Sequence, residues 1–373
     1  MLRTTVLLLL AGAVAALAST ATASPPVSAQ AYFVQSGVDG TVLAQHAATE
    51  PRAIASITKL MTVLVALEHL KLDDVVTVPW LATRVGEAAV PLRPGERITV
   101  RELVEAALIP SANDAATTLA YAAADGSVPR FVTWMNEKAR RLGLRETHFV
   151  TPHGLDRPGH VSSARDVVTL LRVALANPTI RRLAATVHVE IGGRDLDTTD
   201  DLLASFPALV AGKTGHTNDA GWAEVAKAQR RGVSIYAAVL GDPSRKQRND
   251  DLKALLTWAL GRYRRGLAID STRVYAVAKT AYGRPAVRLV AERSSVREQL
   301  TGRPLVEQVV APTEVPLPVV RGARLGEVLI FERGRLVASS PLVAADSIRK
   351  PDAFGRTRWY ATRTLHRLVS LIS

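Results

Sequence analysis

A serine and a lysine three residues apart are the first residues of this sequence that could act together as a nucleophile and its base. Ser56 and Lys59 lie in the stretch ASITKLMTV, which continues into the apolar run LMTVLVALEHL. Residues i and i+3 of a helix share one face, so the hydroxyl and the ammonium would lie side by side. The apolar run predicts a buried helix, where a lysine loses solvation and can act as the base for a serine nucleophile.

A single Ser-x-x-Lys is weak evidence, because the chain holds a second copy, from Ser347 to Lys350, in a polar stretch next to a proline. Two further triplets occur once each and favour the first copy. Ser111-Ala112-Asn113 follows Pro110, and Lys213-Thr214-Gly215 precedes a strand-like segment that starts near Gly221. Ser-x-x-Lys, Ser-x-Asn and Lys-Thr-Gly in this order are the motif set of penicillin-binding proteins and class A β-lactamases.

The composition of this set fits acyl transfer, which needs a nucleophile, a proton shuttle and groups that hold the substrate. Ser56 would attack, and Lys59 would take its proton. Ser111 would relay a proton to the leaving group, and Asn113 would hold the substrate amide. The third triplet completes the set: Lys213 and Thr214 would bind a terminal carboxylate, and Gly215 would let the substrate backbone approach a strand edge.

The elements around these motifs predict an α+β fold. Segments 31–36 and 41–46 are typical of an N-terminal hairpin, and residues 51–185 are mostly helical in pattern, with loops at 91–95 and 151–159. Strand signals return in GWAEVAKAQ and SIYAAVLG, before the helix NDDLKALLTWALGRY. The pattern therefore predicts one catalytic domain, residues 24–265, with a sheet built from both ends of the segment and helices inserted between them.

The two ends of the chain have different patterns. Short strand-like pieces predict a small all-β domain at 266–345. Residues 346–373 end in RTRWYATRTLHRLVSLIS, which has the pattern of a basic amphipathic helix and predicts peripheral contact with a membrane surface. Residues 1–23 have one arginine, then an apolar run, then small residues of the kind found at cleavage sites. This pattern predicts a secretory signal peptide.

Charge and composition narrow the function class. The chain has 373 residues, a net charge of +13 and no cysteine, so cysteine nucleophiles and cysteine zinc sites are excluded. A basic exported protein is expected to meet anionic wall polymer or lipid headgroups, and not nucleic acid. His153, Asp156 and His160 are an alternative set for a zinc peptidase, but the chain has no His-Glu-x-x-His motif, and no metal or other cofactor is expected.

The sequence resembles the low-molecular-mass penicillin-binding proteins that act as serine-type D-alanyl-D-alanine carboxypeptidases, peptidase family S11. Beyond the triplets, the resemblance is carried by PRAIASITKLMT, SANDAA, MNEKARRLGLRETHFVTPHGLD, SSARDVVTLL and GKTGHTNDAGWAEVAKAQRRG. It covers about residues 40–345. One departure lies before Lys213, where Thr198 and Asp200 stand at positions at which such enzymes commonly have amides.

The resemblance implies a penicillin-recognising catalytic domain, with an antiparallel sheet and a helical lobe, followed by a C-terminal β domain. It implies removal of the terminal D-alanine from peptidoglycan stem pentapeptides through an acyl-enzyme at Ser56, and acylation of the same serine by β-lactams. The backbone N–H groups of Ser56 and His216 would form the oxyanion hole. The enzyme would be exported, periplasmic or on the outer face of the cytoplasmic membrane.

Three alternatives remain open on the sequence. A D,D-endopeptidase would carry the same motifs. A β-lactamase would need a carboxylate to activate the deacylating water, and neither Glu137, Glu146 nor Glu190 has an asparagine four residues later. A non-catalytic wall-binding or penicillin-sensing protein would be expected to have a broken motif, whereas all three triplets are intact.

Overall fold

The computed structural model describes residues 23–369, with side chains through residue 361. This part of the chain separates into two compact units, one of residues 23–262 and one that begins at Tyr263. The predicted boundary between residues 265 and 266 falls inside a strand, Tyr263–Ile269, and stays a prediction. Residues 1–22 of the predicted signal peptide lie outside the described residues.

The first unit begins with the expected hairpin and continues into a helical segment. Its elements run, in chain order, as β1 Ala31–Ser36, β2 Val42–His46, a 3-10 helix Ala55–Thr58, α1 Lys59–His69, β3 Val75–Thr77, a 3-10 helix Trp80–Arg84, β4 Arg97–Thr99, α2 Val100–Leu108, α3 Asn113–Ala123, α4 Val128–Arg141, α5 Ala164–Ala174 and α6 Pro178–Leu183.

The chain then returns to the sheet through a small hairpin. These elements are β5 His188–Ile191, β6 Arg194–Asp197, α7 Leu202–Ser205, β7 Leu209–Thr217, β8 Gly221–Arg230, β9 Val233–Asp242 and α8 Arg245–Gly261. Within the described residues the main sheet has five antiparallel strands in the order β2-β1-β9-β8-β7. The pairing of β1 with β9 confirms that the sheet joins both ends of this segment.

The helix that follows the serine lies at the centre of the helical region. Helix α1 is buried from Lys59 to Ala66, and it contacts α2, α3, α4 and α5. This confirms the buried helix that the apolar run predicts. Neighbouring helices start at strong local signals: Thr99 and Glu102 form a capping box at α2, and Ser163 caps α5 by accepting from the backbone N–H of Asp166.

Five strands, β3 to β7, are missing from the prediction. The strands of the β3–β4 pair are three residues long and those of the β5–β6 hairpin are four, too short for an alternating pattern to be recognised. Strand β7 has the sequence LVAGKTGHT, whose two glycines and lysine weaken strand propensity. Its pairing with β8 makes it a strand, so the Lys-Thr-Gly triplet lies inside the sheet.

The second unit is rich in strands, as predicted. It contains β10 Tyr263–Ile269, β11 Val274–Thr280, β12 Val287–Ala291, β13 Ser295–Leu300, β14 Val306–Val310, β15 Glu314–Val315, β16 Arg324–Glu332, β17 Arg335–Ala344 and a final helix, α9 Ala353–Val369. A sheet in the order β14-β16-β17-β12-β11-β15 surrounds a core that includes Leu289, Val328 and Leu342.

Helix α9 coincides with the tail for which an amphipathic helix is predicted. The rings of Trp359 and Tyr282 pack edge to face, 5.5 Å apart, whereas Phe354 is 78% exposed. The residues predicted for the apolar side of the helix (Leu365, Leu368, Val369 and Ile372) and the arginines Arg363 and Arg367 fall where side chains are not described. Over the described residues, no helix combines the length and the apolar character needed to cross a bilayer.

Substitution of Gly154, with Gly143 as a control, tests how tightly the loop 151–155 packs against the helical region. Gly154 has φ +89°, and a Cβ there would lie 2.0 Å from the Ala55 carbonyl oxygen. Gly143 has φ +71°, but a Cβ there would meet nothing within 4 Å. Gly143→Ala should lower the free energy of unfolding by about 1 kcal/mol through backbone strain alone.

Gly154→Ala should cost roughly 3 kcal/mol or more, because overlap with the Ala55 backbone is added to the same strain. Urea denaturation of both variants measures the difference. Equal losses for the two variants would show that the loop does not pack against Ala55 as described.

Candidate active site

The serine and the lysine of the first motif meet at the junction of two helical segments. Ser56 lies in the 3-10 helix Ala55–Thr58, and Lys59 is the first residue of α1. The Nζ atom of Lys59 donates to the Ser56 Oγ atom at 2.7 Å. Ala55 enters this turn with φ +47°, a left-handed conformation that is costly for a non-glycine residue and that recurs at functional sites.

The Lys59 ammonium is completely buried and has three acceptors. Besides Ser56, it donates to Asn113 Oδ1 at 2.7 Å and to the His153 carbonyl at 3.0 Å. Burial lowers the pKa of Lys59 well below its ordinary value, and the charge of Lys213 lowers it further. Because burial disfavours its charged form, Lys59 is suited to accept the Ser56 proton along the same 2.7 Å contact.

Asn113 connects Lys59 to the loop that follows the 3-10 helix Trp80–Arg84. Because an ammonium can only donate, the Oδ1 atom of Asn113 faces Lys59, and its Nδ2 atom donates to the Gly86 carbonyl at 3.0 Å. The backbone N–H of Asn113 donates to the Ala88 carbonyl at 2.7 Å. The side chain proposed to hold a substrate amide therefore also fixes the orientation of the lysine.

The Ser111 hydroxyl contacts Lys213 and not Lys59. It lies between α2 and α3 with φ +67°, and its Oγ atom accepts from Lys213 Nζ at 2.9 Å. Lys213 also donates to the Thr214 carbonyl at 3.0 Å. Burial lowers the pKa of Lys213 to about 7, and the Asp200 carboxylate acts in the opposite direction.

Strand β7 brings the third triplet against the serine turn. It is an edge strand, so one side of its backbone has no strand partner within the described residues. A Cβ on Gly215 would lie 2.8 Å from the Ile54 carbonyl oxygen and 3.1 Å from the Ser56 nitrogen. Only glycine allows this approach, which brings the β7 backbone at position 215 against the Ser56 nitrogen.

The side chains of Thr214 and His216 have different surroundings. Thr214 Oγ1 lies 2.6 Å from Thr199 Oγ1, so the segment before α7 lines the outer side of the edge strand. The His216 ring packs on the Trp222 ring, with their centroids 4.1 Å apart, and is exposed. Each residue predicted for the site therefore lies in one cleft between the helical segment and β7.

Sequence reasoning missed two contributions to this cleft. The His153 carbonyl is a Lys59 acceptor, and burial lowers the pKa of the His153 imidazole to about 3, with the Lys59 charge as the second cause. Thr199 contacts the Lys-Thr-Gly strand. Neither contribution has a signal in residue type or spacing, because one is a backbone carbonyl and the other depends on where a loop folds.

The residues of the zinc alternative bind other partners. Both ring nitrogens of His160 are engaged, with Thr58 Oγ1 at 2.8 Å and with the backbone N–H of Val150 at 3.1 Å. Asp156 accepts from Thr217 Oγ1 at 2.6 Å. Over residues 23–361, no three His, Cys, Asp or Glu side chains form a group that could hold a metal ion.

The second Ser-x-x-Lys copy lies in the other unit and forms no such cleft. Ser347 Oγ accepts from the Arg321 backbone N–H at 2.9 Å, and Lys350 is exposed. A hydroxyl that only accepts a backbone bond has no base to activate it. The structure therefore separates the two copies by burial and by partners, which their spacing alone could not do.

Comparison with known proteins gives this geometry its context. Residues 18–244 match the family Peptidase S11, described as D-alanyl-D-alanine carboxypeptidase. The chain belongs to the S11 peptidase family. It is 30% identical over 353 residues to the D-alanyl-D-alanine carboxypeptidase DacD of Salmonella typhimurium, and the match covers 90% of both chains.

Solved structures agree with S11 membership. The structure of penicillin binding protein 5 from Haemophilus influenzae has a TM-score of 0.65 at 24% identity and covers 88% of this chain and 100% of that one, which shows the shared fold. The Streptomyces K15 DD-transpeptidase has a TM-score of 0.62 at 28% identity and covers 64% of this chain and 100% of its own. The penicillin-recognising fold with a further β-rich domain is thereby confirmed.

The contact between Asn113 and Lys59 gives a prediction that is specific to this S11 cleft. Asn113→Asp should raise the Lys59 pKa by roughly one to three units, because a carboxylate favours the ammonium. The base must be unprotonated to act, so acylation by penicillin should slow at least about tenfold at pH 7 and recover as the pH rises. Stopped-flow measurement of acylation against pH tests this.

The matched control is Asn177→Asp. Asn177 caps α6 by accepting from the N–H groups of Thr179 and Ile180, and aspartate caps a helix equally well. This variant should keep the original pH profile. If the rise of the acylation rate with pH is the same in Asn113→Asp as in the unaltered protein, that rise does not report the titration of Lys59.

Proposed function

We propose that this chain is a serine-type D-alanyl-D-alanine carboxypeptidase that removes the terminal D-alanine from peptidoglycan stem pentapeptides. Membership of the S11 family supports the reaction class. The observation that carries the site assignment is the 2.7 Å contact between Ser56 Oγ and a buried Lys59 Nζ whose pKa is lowered. A nucleophile beside a desolvated base is the pair that acyl transfer requires.

In the proposed acylation step, neutral Lys59 takes the Ser56 proton and Oγ attacks the carbonyl carbon of the penultimate D-alanine. The N–H groups of Ser56 and His216, held close by Gly215, would stabilise the negative charge on the carbonyl oxygen. The Ser111 Oγ atom accepts from Lys213, so its own proton can pass to the departing D-alanine nitrogen. The proton that Lys59 took from Ser56 would then restore the Ser111 hydroxyl and leave Lys59 neutral for deacylation.

In the proposed deacylation step, water attacks the ester at Ser56, and Lys59 serves again as the base. The released peptide then has one D-alanine fewer, and Ser56 regains its proton. The specificity for a terminal D-alanine would come from Lys213 and Thr214, which would bind its carboxylate at the edge strand. A β-lactam would acylate Ser56 through the same contacts.

The reaction is tested with the mature chain, from residue 24, and a pentapeptide ending in D-Ala-D-Ala. Ser56→Ala should reduce released D-alanine by on the order of a thousandfold or more and should abolish the penicillin adduct in mass spectra. Ser347→Ala is the matched control and should release D-alanine at the original rate, because Ser347 lies in the second unit.

Equal release from Ser56→Ala would overturn the proposal. Preferential cleavage of a cross-linked dimer by the unaltered protein would indicate a D,D-endopeptidase. Rapid loss of the penicillin adduct would indicate a β-lactamase. Binding of penicillin or wall polymer without D-alanine release would favour a non-catalytic protein.

We further propose that the enzyme is exported and works at the outer face of the cytoplasmic membrane, attached peripherally by its C-terminal tail. The support is the signal-like segment at residues 1–23, the helix Ala353–Val369 and its exposed Phe354 and Tyr360. Aromatic and basic residues on one short helix favour an interfacial position. The division into 24–265, 266–345 and 346–373 belongs to the same proposal.

Deletion of residues 355–373 tests the attachment. The full chain should sediment with membranes and the shortened chain should remain in the supernatant, because the apolar and basic side chains of the tail are lost together. The rate of D-alanine release per molecule should stay the same in detergent-free assays. Equal sedimentation of the two proteins would contradict attachment by the tail.

A further inference from the structure

The free edge of strand β7 is closed at one end by the chain itself. The backbone N–H of Gly212 donates at 3.0 Å to the carbonyl of Ala184, the residue that follows α6. Ala184 is buried, so a bound peptide cannot take its place on the strand without moving the end of α6. A peptide that lies along β7 therefore meets a wall at Gly212.

The pairing of β7 with β8 shows which backbone groups remain available on that edge. The pairing is regular from Gly212 to Thr217. Alternate residues of an antiparallel strand point their N–H and C=O groups to opposite sides. Since Gly212 points to the free edge, Thr214 and His216 point there too, and the open part of the edge ends at Thr214.

The segment before α7 forms the outer wall at this end of the edge. The Thr199 backbone N–H donates at 3.4 Å to the carbonyl of Ile109, which lies two residues before Ser111. The Thr199 Oγ1 atom lies 2.6 Å from Thr214 Oγ1. Thr199 therefore bridges the end of α2 and the edge strand, and the Thr214 hydroxyl faces this bridge.

The Lys213 ammonium reaches the same point of the edge. It donates to the Thr214 carbonyl at 3.0 Å and to Ser111 Oγ at 2.9 Å. Because the Thr214 carbonyl points to the free edge, the ammonium lies beside residue 214 at that edge. These two bonds leave the third N–H of the ammonium for a ligand at the closed end.

The two threonine hydroxyls can form their 2.6 Å hydrogen bond in either direction, but one direction alone suits a carboxylate. A hydroxyl has a single proton to donate. If Thr214 donates to Thr199, it presents lone pairs to a bound carboxylate and repels it. If Thr199 donates, the Thr214 proton points into the groove and, with Lys213, forms charge-assisted hydrogen bonds to the carboxylate.

We propose that Thr199 is a positioning residue that acts through Thr214: its hydroxyl donates to Thr214 Oγ1 and so turns the Thr214 proton toward the terminal carboxylate of the substrate at the closed end of β7. This role rests on the proposed function, because it assumes that Lys213 and Thr214 bind that carboxylate. The substrates selected are acyl-D-alanines with a free carboxylate, and a chain that continues past it meets Ala184.

Thr199→Val keeps the shape of the side chain and removes its hydroxyl. The acylation rate of benzylpenicillin divided by that of its methyl ester reports recognition of the carboxylate, and this ratio should fall about tenfold, because Thr214 loses the donor that orients it. Thr199→Ser keeps the hydroxyl and should recover the ratio. A loss of packing alone would slow the acid and the ester alike.

The same variant changes the kinetics of D-alanine release. In Thr199→Val the KM for the pentapeptide should rise about tenfold, with a smaller change in kcat, since the lost interaction is made with the bound substrate before reaction. Thr169→Val is the matched control. Thr169 Oγ1 donates to the Arg165 carbonyl at 3.1 Å within α5, a helix that carries no residue of the site, so its loss should leave the ratio and KM unchanged.

A second substrate tests the closed end itself. A pentapeptide extended by two glycines continues for three residues past the reacting carbonyl, about 10 Å in an extended chain, and would run into the wall at Gly212. The unaltered protein should cleave it after the first D-alanine at less than about one hundredth of the pentapeptide rate, because the chain overlaps Ala184 and leaves Lys213 without its carboxylate.

The unaltered protein is measured first: if it releases no D-alanine from the pentapeptide, the proposed function fails and the role of Thr199 falls with it. If it releases D-alanine but Thr199→Val keeps the same acid-to-ester ratio and the same KM, the proposed function stands and the role of Thr199 is overturned. Cleavage of the extended peptide at a rate similar to that of the pentapeptide would also overturn it, because the edge would then be open beyond Thr214.

Discussion

Two lysine side chains, Lys59 and Lys213, have their ammonium groups buried in the same cleft, and the rest of the site is arranged around the cost of burying them. Each ammonium must find acceptors, and Lys59 takes them from a hydroxyl, an amide and a backbone carbonyl. Burial lowers the pKa of both lysines, because the charged ammonium loses its contact with water. The same burial that is costly for stability disfavours the charged form of both lysines and lowers the Lys213 pKa to about 7.

The backbone around the cleft carries the geometric constraints. Ala55 and Ser111 both have positive φ although neither is a glycine, and they stand directly before Ser56 and directly after Pro110. Gly215 brings the edge strand against the serine turn. Strain of this kind persists only where surrounding packing enforces it, and here the buried helix α1 and the main sheet supply that packing.

Charge in this chain is distributed differently on the two sides of β7. The helical side holds Lys59 with uncharged acceptors, whereas the opposite side holds Asp200, Glu224 and Arg248. The two buried carboxyl groups therefore lie on the side of β7 away from Lys59. Membership of the S11 family accounts for the fold and the reaction class.

The sequence by itself determined the motif set, the buried helix, the N-terminal hairpin and the β-rich second unit, because periodicity and rare triplets are local properties. It did not reveal strand β7, since two glycines weaken its local preference and pairing with β8 alone makes it a strand. Nor did it distinguish the partners of Ser111, the His153 carbonyl or the contact between Asp200 and Glu224. Those depend on residues about 20 to 100 positions apart, which only the tertiary structure brings together.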